Sequence, residues 1–199
     1  MDNMTRKQKM AKLPDDAMVA HSGYLFRIWQ WTQVLFDKST SRFELCECRG
    51  AVLVIAEMGG NIHFTRQRQS GLVKTEFNSL FGGYIDDGET PLATGKRELL
   101  EEGGMESDDW ELICEYNPND KFAKTDYYYI ARNCRIAGTQ KLDAAEKIKV
   151  VNLPMDEFFR TIPFDKKTRD GQVLRSILCT EFSGGDMLRA VQLIKGNQK

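Results

Sequence analysis

Long apolar runs are absent from the 199 residues: the longest plain stretch, Ala51 to Ala56, is far too short to cross a bilayer. An excess of one charge is absent too. Lysine and arginine total 28 against 29 acidic residues, a net charge of −1, so no overall basic field exists to hold nucleic acid or an anionic membrane. Neither partner is expected, and an anionic substrate must be gripped locally. The five cysteines, Cys46, Cys48, Cys114, Cys134 and Cys179, show no C-x2-C spacing, and with only two histidines they do not make a zinc framework. The basic N-terminal stretch carries no apolar core of signal-peptide length. A soluble, cytoplasmic protein with reduced thiols is the expectation. Internal repeats and low-complexity segments are also missing. What is present is 41% apolar and 10% aromatic residues, enough for one substantial core.

Residues 1–21 read as a flexible polar tail and residues 22–199 as a single domain. Aromatic and β-branched residues alternate from Tyr24 to Phe36 and from Arg42 to Cys48 around the turn-like Asp37-Lys38-Ser39-Thr40, which predicts a hairpin. Ala51–Ala56 is apolar on both faces and reads as a buried strand, followed after Gly59-Gly60 by a strand over Ile62–Thr65. Later strands are predicted at Leu112–Cys114, Tyr127–Ala131 and Ile148–Val151. Asp170 and Gly184-Gly185 bracket an apolar-periodic helix through Val173, Leu174, Ile177 and Leu178, with a further helix around Met187, Val191 and Ile194. Strands and helices intermix, giving an α/β or α+β class.

One helix is bounded at both ends. Thr90 can cap it, Pro91 opens it where a missing N–H costs nothing, and Gly103-Gly104 stops it. At helical spacing Glu98, Glu101 and Glu102 share one face, while Leu92, Ala93, Leu99 and Leu100 spread over a broad opposite arc. Carboxylates three and four residues apart repel one another. Either they form a solvated acidic face, or a hard divalent cation resolves the repulsion.

The surrounding residues, Gly83-x5-Glu89-x7-Arg97-Glu98-Leu99-x-Glu101-Glu102-x-Gly104-Met105, match every position of the Nudix box. On these residues the chain resembles the Nudix hydrolases. The resemblance implies an α/β/α sandwich with a mixed sheet, and a loop-helix-loop that binds magnesium or manganese and positions water to cleave a diphosphate. It implies Glu98 and Glu102 as main metal ligands, assisted by Glu101 and by the Gly82 carbonyl, with Arg97 orienting the carboxylates. Gly83 would let the backbone turn tightly beside the metal. Gly95 stands where the family usually has alanine and is expected to weaken the helix by about 0.5–1 kcal/mol. A diphosphate is anionic and resists water, so cations that neutralise developing charge and acidify the attacking water suit the chemistry.

From Gly23 to Leu178 the chain also resembles the ADP-ribose and nucleoside-diphosphate-sugar pyrophosphatases, through Arg49-Gly50-Ala51-Val52, the segment Phe64 to Gln69, Ser79 to Gly83, and Pro118. That resemblance makes Arg66, Gln67 and Arg68 substrate-binding residues, with solvated strand ends as the plain alternative, and puts Gln69 in a slot the subfamily gives to arginine. It marks Glu146 as a general base, with Glu101 its rival. Trp29 and Trp31 would stack on a nucleobase, pack a core or face a partner subunit; the subfamily's N-terminal strands favour a homodimer. A nucleoside triphosphatase or dinucleotide hydrolase, or a nucleotide-sensing module without catalysis, fits the same box.

Overall fold

The structure is a computed structural model that describes residues 13–71, 76–118 and 120–179. In chain order the strands are β1 (Met18–Ser22), β2 (Phe26–Val34), β3 (Thr40–Cys48), β4 (Ala51–Met58), β5 (Asn61–Gln69), β6 (Phe77–Ser79), β7 (Phe81–Tyr84), β8 (Met105–Glu106), β9 (Asp109–Tyr116), β10 (Phe122–Ala123), β11 (Asp126–Arg132), β12 (Arg135–Ile136) and β13 (Glu146–Pro154). The helices are α1 (Pro91–Gly103), α2 (Met155–Thr161) and α3 (Gly171–Cys179), with a 3₁₀ turn over Ile162–Phe164. The predicted helix around Met187 lies outside the described residues.

The chain divides into two compact units, one from Met1–Ala51 and Glu115–Asp126, the other from Val52–Cys114 and Tyr127–Lys199. In the first, the sheet runs β1-β2-β3-β10. The predicted hairpin is β2 and β3, with Trp31 opposite Phe43, and its tip is held by Asp37, whose carboxylate accepts from the Ser39 backbone N–H at 3.0 Å. The expected tail reaches too far: Met18–Ser22 is paired with β2, because an edge strand needs only free backbone groups, not a patterned sequence.

In the second unit the sheet runs β13-β5-β4-β11-β9, with β6 on β5 and β7 on β4; β4 and β11 are parallel and the pairs β4–β5 and β5–β13 antiparallel. Strand alternation sets the layers. Val52, Val54 and Ala56 of β4 pack with Leu99 of α1, Phe81 and Met105. On β5, Phe64 faces the other way and meets Phe158 of α2 at 5.3 Å between ring centroids. The two helices therefore lie against opposite faces of the sheet, the expected α/β/α sandwich. Each fully buried Leu, Phe or Val contributes roughly 1.5–3 kcal/mol. Among the described residues no helix is long and apolar enough to cross a membrane.

Sequence reading missed α2, whose seven residues are too few to display a period; Asp156 and Glu157 in its first turn and Arg160 in its last are the signals that complement its dipole. It also misjudged the inward side of α1. The buried residues there are Thr94, Gly95, Leu99 and Glu102, whereas Leu100 of the apolar arc is 41% exposed. Gly95 explains this: a Cβ on it would sit 3.1 Å from Val52 Cγ1 and 3.3 Å from Trp110 Cζ3, so its bare backbone lets α1 approach β4 closely. Of the three acids Glu102 lies on this inward side with Gly95 and Leu99, whereas Glu101 stays 41% exposed.

Candidate active site

Helix α1 begins and ends as its sequence requires. The Thr90 side chain accepts from the Ala93 N–H, Pro91 follows, and Gly104 closes the helix in a left-handed conformation with its N–H on the Leu100 carbonyl. Glu89, just before the cap, is bound by both Arg97 Nε and Nη2 at 3.1 Å and by the Thr94 hydroxyl at 2.7 Å. These donors hold its carboxyl down to about 2. Arg97 then reaches along its own helix, donating from Nη1 to Glu98 at 2.7 Å and to Glu101 at 3.0 Å. Five donors in a planar fork allow one guanidinium to serve all three carboxylates, and its own pKa is raised, chiefly by Glu89.

Glu102 is 5% exposed, so the solvated acidic face is not what the chain builds. Its Oε2 accepts from the Gly82 N–H at 2.8 Å. Burial pushes its pKa up to about 8 against that hydrogen bond, and the charges of Glu98 and Glu146 push the same way. Glu98 is raised by burial as well, opposed by Arg97 and reinforced by Glu101 and Glu146. The loop that carries these contacts needs its two glycines. Gly82 has φ of +154°, and a Cβ there would fall 2.0 Å from the Val52 carbonyl oxygen; a Cβ on Gly83 would lie 2.2 Å from Glu98 Oε1.

Among the described residues no three histidine, cysteine, aspartate or glutamate side chains already converge as ligands. Arg97 engages Glu98 and Glu101, and the Gly82 N–H engages Glu102. The donor chemistry nonetheless suits a hard divalent cation: all are oxygens, and burial first, with neighbouring carboxylate charge second, disfavours the ionised forms of Glu98 and Glu102, a cost that a cation beside them relieves.

Glu146 opens β13 and is half-buried. Its Oε1 accepts from Gln69 Nε2 at 3.0 Å, and its pKa is raised by burial first and by Asp143 second. Its charge is felt at both Glu98 and Glu102. The structure thus brings the box and Glu146 together from segments about 44 residues apart in the chain.

The trio Arg66, Gln67 and Arg68 does not act as a unit, because successive β5 side chains point to opposite faces. Gln67 is buried on the side of Thr65 and Gln69, donating to the Thr65 hydroxyl at 3.1 Å. Arg66 and Arg68 are exposed on the other face, opposite Lys149 and Lys147 of β13, where with Glu76 and Glu146 they line a cavity of about 350 Å³. Arg66 also donates to Asn78 Oδ1 at 3.3 Å. Trp29 belongs to the first unit, half-buried on β2, with its indole N–H donating to the buried Glu47 at 3.0 Å.

Sequence reading missed one cation. Arg169 lies between the 3₁₀ turn and α3, with its guanidinium 4.0 Å above the Phe77 ring, donating to Gln69 Oε1 at 2.9 Å. It offsets the raised pKa of both Glu102 and Glu146. Its neighbour Asp170 stands at the start of α3 as expected, yet its carboxylate turns to β6, accepting from the Ser79 hydroxyl at 3.0 Å and the Leu80 N–H at 3.1 Å. Asn78 completes the anchorage by donating its N–H to the Lys167 carbonyl at 3.0 Å and accepting from the Arg169 N–H at 2.9 Å. No local pattern in the sequence signals Arg169, since its neighbours are supplied by β5 and β6.

Residues 47–176 match the NUDIX domain family. The chain is 30% identical over 136 residues to a methanol dehydrogenase activator of Bacillus methanolicus, covering 65% of this chain and 73% of that protein. Among solved structures it is similar to an ADP compounds hydrolase, with a TM-score of 0.66 and 17% identity over 86% of this chain and 95% of the other.

Proposed function

The chain belongs to the Nudix family of hydrolases, which act on phosphoric anhydride bonds, and we propose that it cleaves the diphosphate of ADP-ribose or a related nucleoside-diphosphate sugar to a nucleoside monophosphate and a sugar phosphate. The observation that carries the hydrolytic part of the reading is the gathering of the Glu98, Glu102 and Glu146 carboxyls, from two separate segments, into one partly buried group; the substrate class is supported by the likeness of the fold to an ADP compounds hydrolase. Glu98 and Glu102 would hold a magnesium or manganese ion, with Glu101 and the Gly82 carbonyl assisting. When bound, such a cation neutralises charge on the diphosphate and makes water a better nucleophile. Arg97 orients Glu98 and Glu101 by donating to both from one nitrogen. Glu146, hydrogen-bonded through only one oxygen among the bonds described, can take the proton from the attacking water with the other. Arg66 and Arg68 lie on the sheet face away from α1 and border Glu146 in the cavity they line with it, so the positive charge they supply to a phosphate or ribose comes from that side, while Gln67 lies on the α1 face.

A phosphate-coupled screen of nucleoside diphosphate derivatives, triphosphates and dinucleotides with magnesium or manganese tests this. ADP-ribose or a nucleotide sugar should turn over fastest. Preference for a triphosphate or dinucleotide would reassign the substrate, and inertness toward all of them would favour a sensing module.

We further infer a cytoplasmic homodimer. Support comes from the first unit, where Tyr24, Phe26, Val34 and Phe36 are exposed on or beside β2, and from Cys46, Cys114 and Cys134, which are unbridged thiols. Light scattering should give twice the chain mass; a concentration-independent monomer overturns the dimer.

A further inference from the structure

A directional hydrogen-bond chain crosses the sheet face beside Glu146. Arg169 Nη2 donates to Gln69 Oε1 at 2.9 Å; Gln69 Nε2 donates to Gln67 Oε1 at 3.2 Å and to Glu146 Oε1 at 3.0 Å. Gln67 Nε2 donates to the Thr65 hydroxyl at 3.1 Å, which donates to the Ser79 carbonyl at 2.9 Å. An amide can present either its oxygen or its NH₂ to a neighbour, so Gln69 has two orientations of similar shape. Only one satisfies Glu146, because an amide oxygen turned to a carboxylate puts two acceptors face to face. Guanidinium groups donate and never accept. Arg169 therefore selects the orientation in which both Gln69 N–H bonds are spent on Gln67 and Glu146.

Arg169 is itself built in place. Phe77 stacks under its guanidinium, the Asn78 carbonyl takes its backbone N–H, and Asp170 is tied to Ser79 and Leu80. An exposed arginine held on so many sides has lost freedom that a merely solvated side chain keeps.

We propose that Arg169 is a positioning residue, which acts through the Gln69 amide to fix the Glu146 carboxylate with one oxygen engaged and the other free for the attacking water. The inference rests on Glu146 as general base and names what orients that base.

Arg169→Met should lower kcat roughly 10- to 100-fold with KM little changed, the scale expected when a catalytic group is misplaced. Arg169→Lys, also a pure donor, should recover most of the loss. In a Glu146→Gln background Arg169→Met should have no further effect, because the path to the reaction is already cut. Thermal melting of each variant checks that the fold persists. A readout without turnover completes the test: the Gln69 side-chain amide protons, followed by ¹⁵N nuclear magnetic resonance, should be protected from exchange in the wild type and in Arg169→Lys and lose protection in Arg169→Met. Unchanged Gln69 protection in Arg169→Met overturns the relay whatever the kinetics. A raised KM at constant kcat, or an additive loss in the Glu146→Gln background, makes Arg169 a direct substrate contact and also overturns it. Full turnover by Glu146→Gln alone overturns the base assignment instead, a separate and recognisable result.

Discussion

The site has two halves that differ in how the chain delivers them. The box half, Gly82 to Met105, is one continuous loop and helix in which Arg97 reaches Glu89, Glu98 and Glu101 within its own segment. The other half consists of Gln69, Glu146 and Arg169, three residues from three segments that meet only because β13 pairs with β5 and the Arg169 loop is pinned to β6. In the first half geometry follows from helical periodicity. In the second it follows from strand register, and a slip of β13 by one residue would put Gln69 and Glu146 on different faces.

The sharpest break between the halves is at the ligand. Glu102→Gln keeps an acceptor for the Gly82 N–H but cannot ionise to serve as a charged ligand, so turnover should fall by several orders of magnitude while the melting temperature in chelator near pH 7 is kept, because a carboxyl titrating at about 8 is already mostly neutral there. Near-normal hydrolysis by this variant, or by the wild type in excess chelator, would break the metal assignment.

Next comes the division of labour between ligand and base. Glu146→Gln should cut the maximal rate roughly 10²–10⁴-fold without changing the apparent metal affinity, whereas Glu101→Gln should weaken metal binding and be partly rescued by excess magnesium or manganese. Metal titrations at saturating substrate separate the two. Full rate in Glu146→Gln together with an unrescued loss in Glu101→Gln would move the base into the box.

A smaller effect probes why the box helix faces as it does. In an exposed helix, glycine to alanine gains about 1 kcal/mol. At Gly95 the new methyl meets Val52 and Trp110 at 3.1 and 3.3 Å, and overpacking costs about 1–3 kcal/mol. Gly95→Ala should therefore lower stability slightly in chemical denaturation; a gain of a full kcal/mol would mean that α1 does not press on β4 as described.

The smallest expected effect is a pH dependence away from the site. His63 on β5 is buried with Nδ1 unpartnered, and burial lowers its pKa below the usual 6.5. The unfolded chain then takes up a proton before the folded one does, so stability is lost as pH falls below 6.5 toward the folded value. His63→Phe should flatten that decline in melting temperature between pH 7 and pH 5, and an identical slope in both proteins would show that another group titrates.

Much of this was legible from residues alone. The hairpin, the buried strand at Ala51–Ala56, the limits of α1 and the carboxylate spacing are local features, encoded within one or two turns of chain, and turn chemistry, capping and periodicity suffice to read them. Three things were not. Residues 18–22 pair as an edge strand without patterned side chains, α2 is too short to show a period, and the split of Gln67 from Arg66 and Arg68 depends on which β5 face meets α1.

The sequence by itself determined the family and the list of carboxylates, because the box is a contiguous segment whose spacing is its chemistry. Only tertiary structure decided which side of α1 is inward, that Glu102 is buried rather than solvated, and that Arg169 stands beside Gln69 and Glu146. Burial and electrostatic coupling depend on neighbours brought from elsewhere in the chain. A sequence without its contacts therefore leaves the protonation of Glu102 and the orientation of the Gln69 amide undetermined.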